Sequence, residues 1–144
     1  DQIRATDLPW LPGARELMAE LADADVPCAI VTASDRIILD AARERLPANL
    51  DVIVTVDEVA QAKPHPEGYL TAAARLGVDA RDAVALEDSV PGTTAALAAG
   101  AVVYAVPSMV ELAPHPRMHV SATGLSTSTW AELAQVWREL KEHA

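Results

Sequence analysis

Short apolar runs recur along this chain, separated by longer stretches in which apolar positions return every three or four residues. The first pattern suits buried strands and the second amphipathic helices. PGARELMAELADADV (12–26) brings Leu17, Met18 and Leu21 together behind Pro12 and predicts a helix. PCAIVT (27–32) is short, apolar and rich in β-branched residues, so it predicts a buried strand. Ser34 can cap a second helix, SDRIILDAARERL, which Pro47 stops. DVIVTV (51–56) predicts the second strand. KPHPEGYLTAAARLG holds a third helix, with Pro66 near its first turn and Gly77 as its stop. DAVALED (82–88), VPGTTAALAAG and AVVYAVP (101–107) then predict a strand, a helix closed by Gly100, and a fourth strand. A polar stretch rich in Pro and Ser runs from 108 to 128. Thr129 and Glu132 have the T-x-x-E spacing of a capping box that opens a last helix, WAELAQVWREL.

Strands alternating with helices predict an α/β fold: a parallel sheet with helices on both faces. With 144 residues the expectation is one domain spanning 1–144, and four visible strands make a lean sheet for it. In such sheets the working groups collect at the carboxyl ends of the strands. The first strand ends in Thr32-Ala33-Ser34-Asp35, the second leads through Asp57 and Glu58 to Lys63, and the third ends in Glu87-Asp88-Ser89. A hydroxyl beside helix-start amides, an ammonium and a carboxylate pair can together hold a phosphate and a divalent metal.

Composition narrows the partners. The net charge of −10 argues against nucleic acid and against an anionic membrane surface, and an anionic substrate needs local positive charge. No stretch is apolar for long enough to cross a bilayer, and DQIRATD carries no apolar region of a secretory signal. The single cysteine, Cys28, lies in an apolar run, which predicts a small buried core residue and a reducing cytoplasm. Trp130 and Trp137 stand one heptad apart on the last helix, where core packing is the expectation. Lysine is rare: only Lys63 and Lys141 occur, and Lys63 stands in the unusual run AKPHPEG.

Adjacent carboxylates repel, and burial raises the cost. Glu87-Asp88 therefore asks for a positive partner, and hard oxygen ligands at a strand end suit Mg²⁺. Neighbouring side chains on an extended strand point to opposite faces, so Asp88 is the expected direct ligand and Glu87 one acting through water. The Thr32 hydroxyl and the amides of Ala33 and Ser34 can donate to phosphate oxygens. Ser34 as a plain helix cap is equally consistent with the residues. Lys63 is a compact charge for a phosphate, and Pro64 and Pro66 stiffen its loop. His65 is read as a loop residue. Asp57 and Glu58 are either solvated loop acids or groups that orient Lys63.

Thr32 at a strand end, then KPHPEGY (63–69), then LEDSVPG (86–92), resembles three of the motifs of the haloacid dehalogenase-like hydrolase superfamily, in the family's order. The resemblance runs from Leu11 to the last helix. It implies a flavodoxin-like, Rossmannoid core, Mg²⁺ dependence and phosphoryl transfer through an aspartyl-phosphate. It further implies that Thr32 binds phosphate, that Lys63 steadies nucleophile and phosphate, and that Glu87 and Asp88 serve the metal. The style of these motifs is closest to phosphatases and phosphomutases acting on small phosphate esters.

The family's first motif, D-x-D-G-T, is absent from the chain, and so is the cap that this branch inserts after it. The resemblance places the missing strand in the middle of the sheet, between the strands ending at Thr32 and at Asp88. Its absence predicts two inner edges with unpaired backbone groups, filled by a separate N-terminal segment or a second copy, or paired directly with each other in a way foreign to the family. The expected function is a cytoplasmic, Mg²⁺-dependent phosphatase of small phosphorylated metabolites, with its nucleophile outside these residues. The alternatives are a phosphomutase, or a non-catalytic phosphate-binding or interaction module of the same fold.

Overall fold

The structure, a computed structural model, describes residues 14–32, 35–41, 50–106, 112–121 and 129–143. In chain order its elements are α1 (Ala14–Asp23), β1 (Cys28–Val31), α2 (Arg36–Ala41), β2 (Leu50–Val54), α3 (Glu67–Leu76), β3 (Val84–Glu87), α4 (Val90–Ala99), β4 (Val102–Ala105), β5 (Met118–Val120) and α5 (Trp130–Leu140). Short 3-10 turns at Val56–Glu58 and Ala80–Asp82 lead into α3 and β3.

All strand pairs are parallel, and they form two sheets. β1 lies beside β2, with Val31 opposite Val54; β4 lies between β3 and β5, with Glu87 opposite Ala105. Among the described residues β1 and β3 do not pair with each other. The sheet is thus parted where the sequence leads one to expect a central strand to be lacking.

Helices cover both faces, and β4 shows why. All four of its residues are buried, and their side chains alternate. Val102 and Tyr104, with Val106 beyond them, pack against Leu17 and Leu21 of α1 and Leu133 and Val136 of α5. Val103 and Ala105 face the other way, onto Ala96 of α4 and Ala85 of β3. Large side chains fill one layer, and small ones let the alanine-rich α4 approach closely on the other. Each fully buried large apolar side chain contributes about 1.5–3 kcal/mol.

Local signals end the elements where the sequence places them. Gly77 and Gly100 take φ of 76° and 98° at the ends of α3 and α4, a conformation that costs glycine nothing. Ser89 and Thr129 accept from the amides of Gly92 and Glu132 and so cap α4 and α5. The Glu132 carboxylate accepts from the Tyr104 hydroxyl and so ties α5 to β4. The second strand ends at Val54, two residues early, because Thr55 turns the chain into the Val56–Glu58 turn. A fifth strand, β5, arises within the stretch read as loop: Val103 and Ser121 donate to Arg117 and Ala105 across the β4 edge. Cys28 is buried, as expected, with its thiol on the Val26 carbonyl. Trp137 packs against the core, as expected, while the side chain of Trp130 lies outside what is described.

The amino-terminal edge of the larger sheet is tied by a residue without any sequence signature. Arg117 is 2% exposed. Its Nη1 donates to the carbonyls of Leu140, Lys141 and His143 at the end of α5, and its Nη2 to those of Arg81 and Gly100. Burial, and then the nearby Arg81 charge, push its pKa down from the ordinary arginine value.

Candidate active site

The carboxyl-terminal edge of the sheets holds the predicted chemistry. Each sheet delivers one part of it: β1 runs out into Thr32, and β3 ends on Glu87 with Asp88 next. Between them stands Lys63, whose Nζ donates to Glu87 Oε2 at 2.6 Å and to the Val31 carbonyl at 3.0 Å. Val31 precedes Thr32, whose amide turns toward β2 and donates to Val54. The Val31 carbonyl therefore points out of the unpaired side of β1, and the ammonium spans the parting between the sheets.

Glu87 is buried and Lys63 largely so, their side chains being 8% and 17% exposed. Such a pair persists only when both members are well satisfied. The Tyr69 hydroxyl of α3 supplies the second donor to Glu87 Oε2. Burial first, and then the charges of Glu87 and Asp88, push the Tyr69 pKa well above its ordinary value, so the hydroxyl keeps its proton. The other oxygen of Glu87 lies over Gly92: a Cβ there would stand 1.8 Å from Oε1. The Pro-Gly pair after the carboxylates thus has a steric reason, since α4 must start without a side chain against Glu87. Glu87 follows Ala85 in alternation, onto the α3 and α4 face; Asp88 comes after the strand and is half-buried.

The loop bearing Lys63 is held from α3. Glu67 accepts from the amides of Ala60 and Gln61 at 2.9 and 3.0 Å, and His65 Nδ1 accepts from the Glu67 amide. His65 is therefore a capping group with its proton on Nε2, in line with its reading as a loop residue. Thr32 and Lys63 line one small cavity with Val54, Thr55 and Gly68, of about 10 Å³, room for roughly one water.

Asp57 and Glu58 do not touch Lys63. Both grip Arg36 and Thr55 at the end of β2. The Thr55 hydroxyl, ahead of other causes, lowers the Asp57 pKa. The Thr55 amide, with Arg75 and Arg36, holds that of Glu58 down at about 2. Of the predicted phosphate ligands, Ala33 and Ser34 lie outside the described residues.

The residues present fit a magnesium ion in part. Asp88 is a half-buried carboxylate at a strand end, and Mg²⁺ is often held by one or two carboxylates with waters and phosphate oxygens. Glu87 has one oxygen taken by Lys63 and Tyr69 and so suits contact through water. Among the described residues no group of three side chains forms a complete metal cage.

Sequence reasoning missed Tyr69 and Glu67 as parts of the site. Both were in view in KPHPEGY, and one turn of helix beyond the loop brings Tyr69 back over Lys63, its ring centroid 5.2 Å from Nζ.

Comparison with known proteins agrees with this geometry. The model of the haloacid dehalogenase-like hydrolase family matches residues 2–100. The bifunctional riboflavin kinase/FMN phosphatase of Arabidopsis thaliana is 42% identical over 102 residues, taking in 69% of this chain and 27% of that protein. Hexitol phosphatase A of Escherichia coli K12 is 39% identical over 114 residues, 74% of this chain and 51% of that one. In structure, CbbY from Rhodobacter sphaeroides in complex with phosphate matches with a TM-score of 0.77 and 30% identity, over 86% of this chain and 58% of that chain. The chain spans about half, or less, of these curated relatives.

Proposed function

The chain belongs to the haloacid dehalogenase-like hydrolase family, and from that premise we propose that the intact protein hydrolyses small phosphate monoesters with Mg²⁺ as cofactor. The observation that carries this reading is the meeting of Thr32 and Lys63 in one cavity, with Lys63 paired to the carboxylate that ends β3. A hydroxyl and an ammonium converging at the carboxyl edge of a parallel sheet suit the non-bridging oxygens of a phosphate. The phosphatases among the relatives support the same reaction class.

In this reading an aspartate carboxylate, supplied by sequence outside these 144 residues, attacks phosphorus and breaks its bond to the ester oxygen, which leaves as the alcohol with a proton from an acid also outside these residues; water then hydrolyses the resulting acyl-phosphate to free the carboxylate and inorganic phosphate. Lys63 lies where it can hold that carboxylate and a phosphate oxygen, because its Nζ already stands at the parting between β1 and β3. Thr32 donates to a second phosphate oxygen, with the amides of Ala33 and Ser34 beside it. Tyr69 keeps Glu87 turned toward Lys63, and Glu67 keeps the Lys63 loop in place. Asp88 would hold the metal directly and Glu87 through water, and a bound Mg²⁺ supplies charge neutralisation at the transferring phosphoryl group.

The test is release of inorganic phosphate from small phosphate monoesters by the intact protein, with and without a chelator. Turnover that the chelator abolishes and added Mg²⁺ restores supports the reading. No turnover with any monoester, or turnover indifferent to Lys63→Ala and Asp88→Asn, would sink it.

A further inference from the structure

We propose that Glu58 is a positioning residue: by holding Thr55 and Arg36 at the end of β2 it sets where Thr32 lies against Lys63. The inference rests on the reading of Thr32 as a phosphate ligand.

Three N–H donors converge on this one carboxylate. Glu58 Oε2 accepts from the Thr55 amide at 2.8 Å and from Arg36 Nη2 at 2.5 Å, and it shares with Asp57 the single proton of the Thr55 hydroxyl. Oε1 accepts from Arg75 Nη1 of α3 at 2.9 Å. An isolated surface ion pair is worth little, and most such acids are simply solvated. Here the Glu58 side chain is only 24% exposed and Thr55 is wholly buried.

What the carboxylate holds is the end of β2, which Thr32 and Arg36 both bond. Thr32 places its amide on the Val54 carbonyl. Arg36, the first residue of α2, bonds the same stretch of chain. Its amide donates to Asp57 Oδ1 and its Nη2 to the Ile53 carbonyl, both at 3.2 Å, besides the bond to Glu58. Thr32 and Arg36 are thus both pinned to residues 53–58. The chain that leaves this stretch then runs directly into the loop that Glu67 fixes around Lys63. Glu58 therefore stands in the segment that holds Thr32 and leads on to Lys63. Without its charge, Arg36 and Arg75 lose the carboxylate that both of them bond, and the end of β2 is held less firmly. A displacement of about 1 Å at a binding group costs on the order of a hundredfold in rate.

The experiment measures the inhibition constant of inorganic phosphate, kcat, KM and the melting temperature on the intact protein. Glu58→Gln and Arg36→Met should each weaken phosphate by about tenfold, and the double variant no more than the worse single one, since both act through one contact. Arg36→Lys should recover part of the loss. Arg75→Gln, which removes only the contact to α3, should change phosphate affinity by less than about twofold. Thr32→Ala, measured in parallel, separates the two readings. If Thr32→Ala weakens phosphate while folded Glu58→Gln and Arg36→Met do not, the positioning role is wrong and the phosphate site stands. If Thr32→Ala also leaves phosphate affinity unchanged, both are wrong. Should Glu58→Gln fail to fold, Arg36→Met carries the same test, its side chain being 32% exposed.

Discussion

The two edges of the sheets each hold a buried cation, and the cations differ in what satisfies them. At the amino edge Arg117 donates to five main-chain carbonyls, from the end of α5, from Gly100 after α4 and from the turn before β3. These acceptors cannot be traded for a ligand, because main-chain carbonyls belong to the fold. At the carboxyl edge Lys63 is held by one carbonyl and one side-chain carboxylate, which also binds Tyr69. Glu87 and Lys63 can give up each other for a ligand; Arg117 cannot release its carbonyls without loosening the end of α5. Burial alone therefore does not distinguish scaffold from site, whereas the chemistry of the partners does.

The sharpest way to break this comparison is to remove each cation in the intact protein. Lys63→Ala should lower kcat/KM by about a thousandfold or more, and Asp88→Asn should abolish turnover at ordinary Mg²⁺, both in protein that remains folded by circular dichroism. Arg117→Met should do the reverse. It takes the guanidinium from five carbonyls, of which that of Leu140 keeps the His143 amide, and should cost about 3 kcal/mol or more in denaturant unfolding, while the surviving folded fraction keeps its kcat. Loss of kcat in folded Arg117→Met, or full activity in Lys63→Ala, would erase the distinction between the edges.

A smaller effect should appear where the two roles meet. Gly92→Ala puts a methyl group 1.8 Å from Glu87 Oε1, so either α4 or the carboxylate must move. Overpacking of this kind costs about 1–3 kcal/mol. Because the carboxylate belongs to the Lys63 pair, turnover should fall along with the melting temperature, unlike at Arg117. A Gly92→Ala protein with wild-type melting and wild-type kcat would show that Glu87 is free to swing away.

Much of this was legible in the chain itself. The strand ends named Thr32, Lys63, Glu87 and Asp88 because a parallel sheet sends its chemistry to one edge. The stops at Gly77 and Gly100 and the cap at Thr129 were readable from residue type alone, and the cap at Ser89 was not read. The parting of the sheet was expected from the motif that the chain lacks, and the pairing of β1 with β2 alone agrees with it. The misses are contacts between residues far apart in sequence. Arg117 satisfies carbonyls that any residue could have offered, so nothing in the sequence marks them. β5 is three residues long and sits among prolines, and it is a strand only because the edge of β4 is there to pair with it. Beside the metal expected at Glu87-Asp88, the sequence does not show that Glu87 also pairs with Lys63, which stands 24 residues away. Asp57 and Glu58 had two readings, solvated or aimed at Lys63; both are exposed acids, and they bond Arg36.

The smallest expected effect compares the edges by titration. The Glu58 carboxyl is held down to about 2 from an ordinary value of 4.5. A carboxyl with a lowered folded pKa adds stability that is complete above its unfolded pKa and is lost as pH falls toward the folded one. The difference in stability between wild type and Glu58→Gln should therefore hold steady from pH 7 to about 5 and close between about 4.5 and 2. With a side chain partly open to water, its full size should be about 1 kcal/mol or less. Asp57, also lowered, remains in both proteins and largely cancels from the difference. The same experiment on Arg117→Met should give a much larger difference that does not change across this window, because a guanidinium stays charged in acid and its carbonyl partners do not titrate. A Glu58→Gln difference that persists unchanged at pH 2 would mean that its donors hold the neutral acid as well as the anion, and an Arg117→Met difference that closes in acid would mean that a carboxylate, not the main chain, neutralises the amino edge.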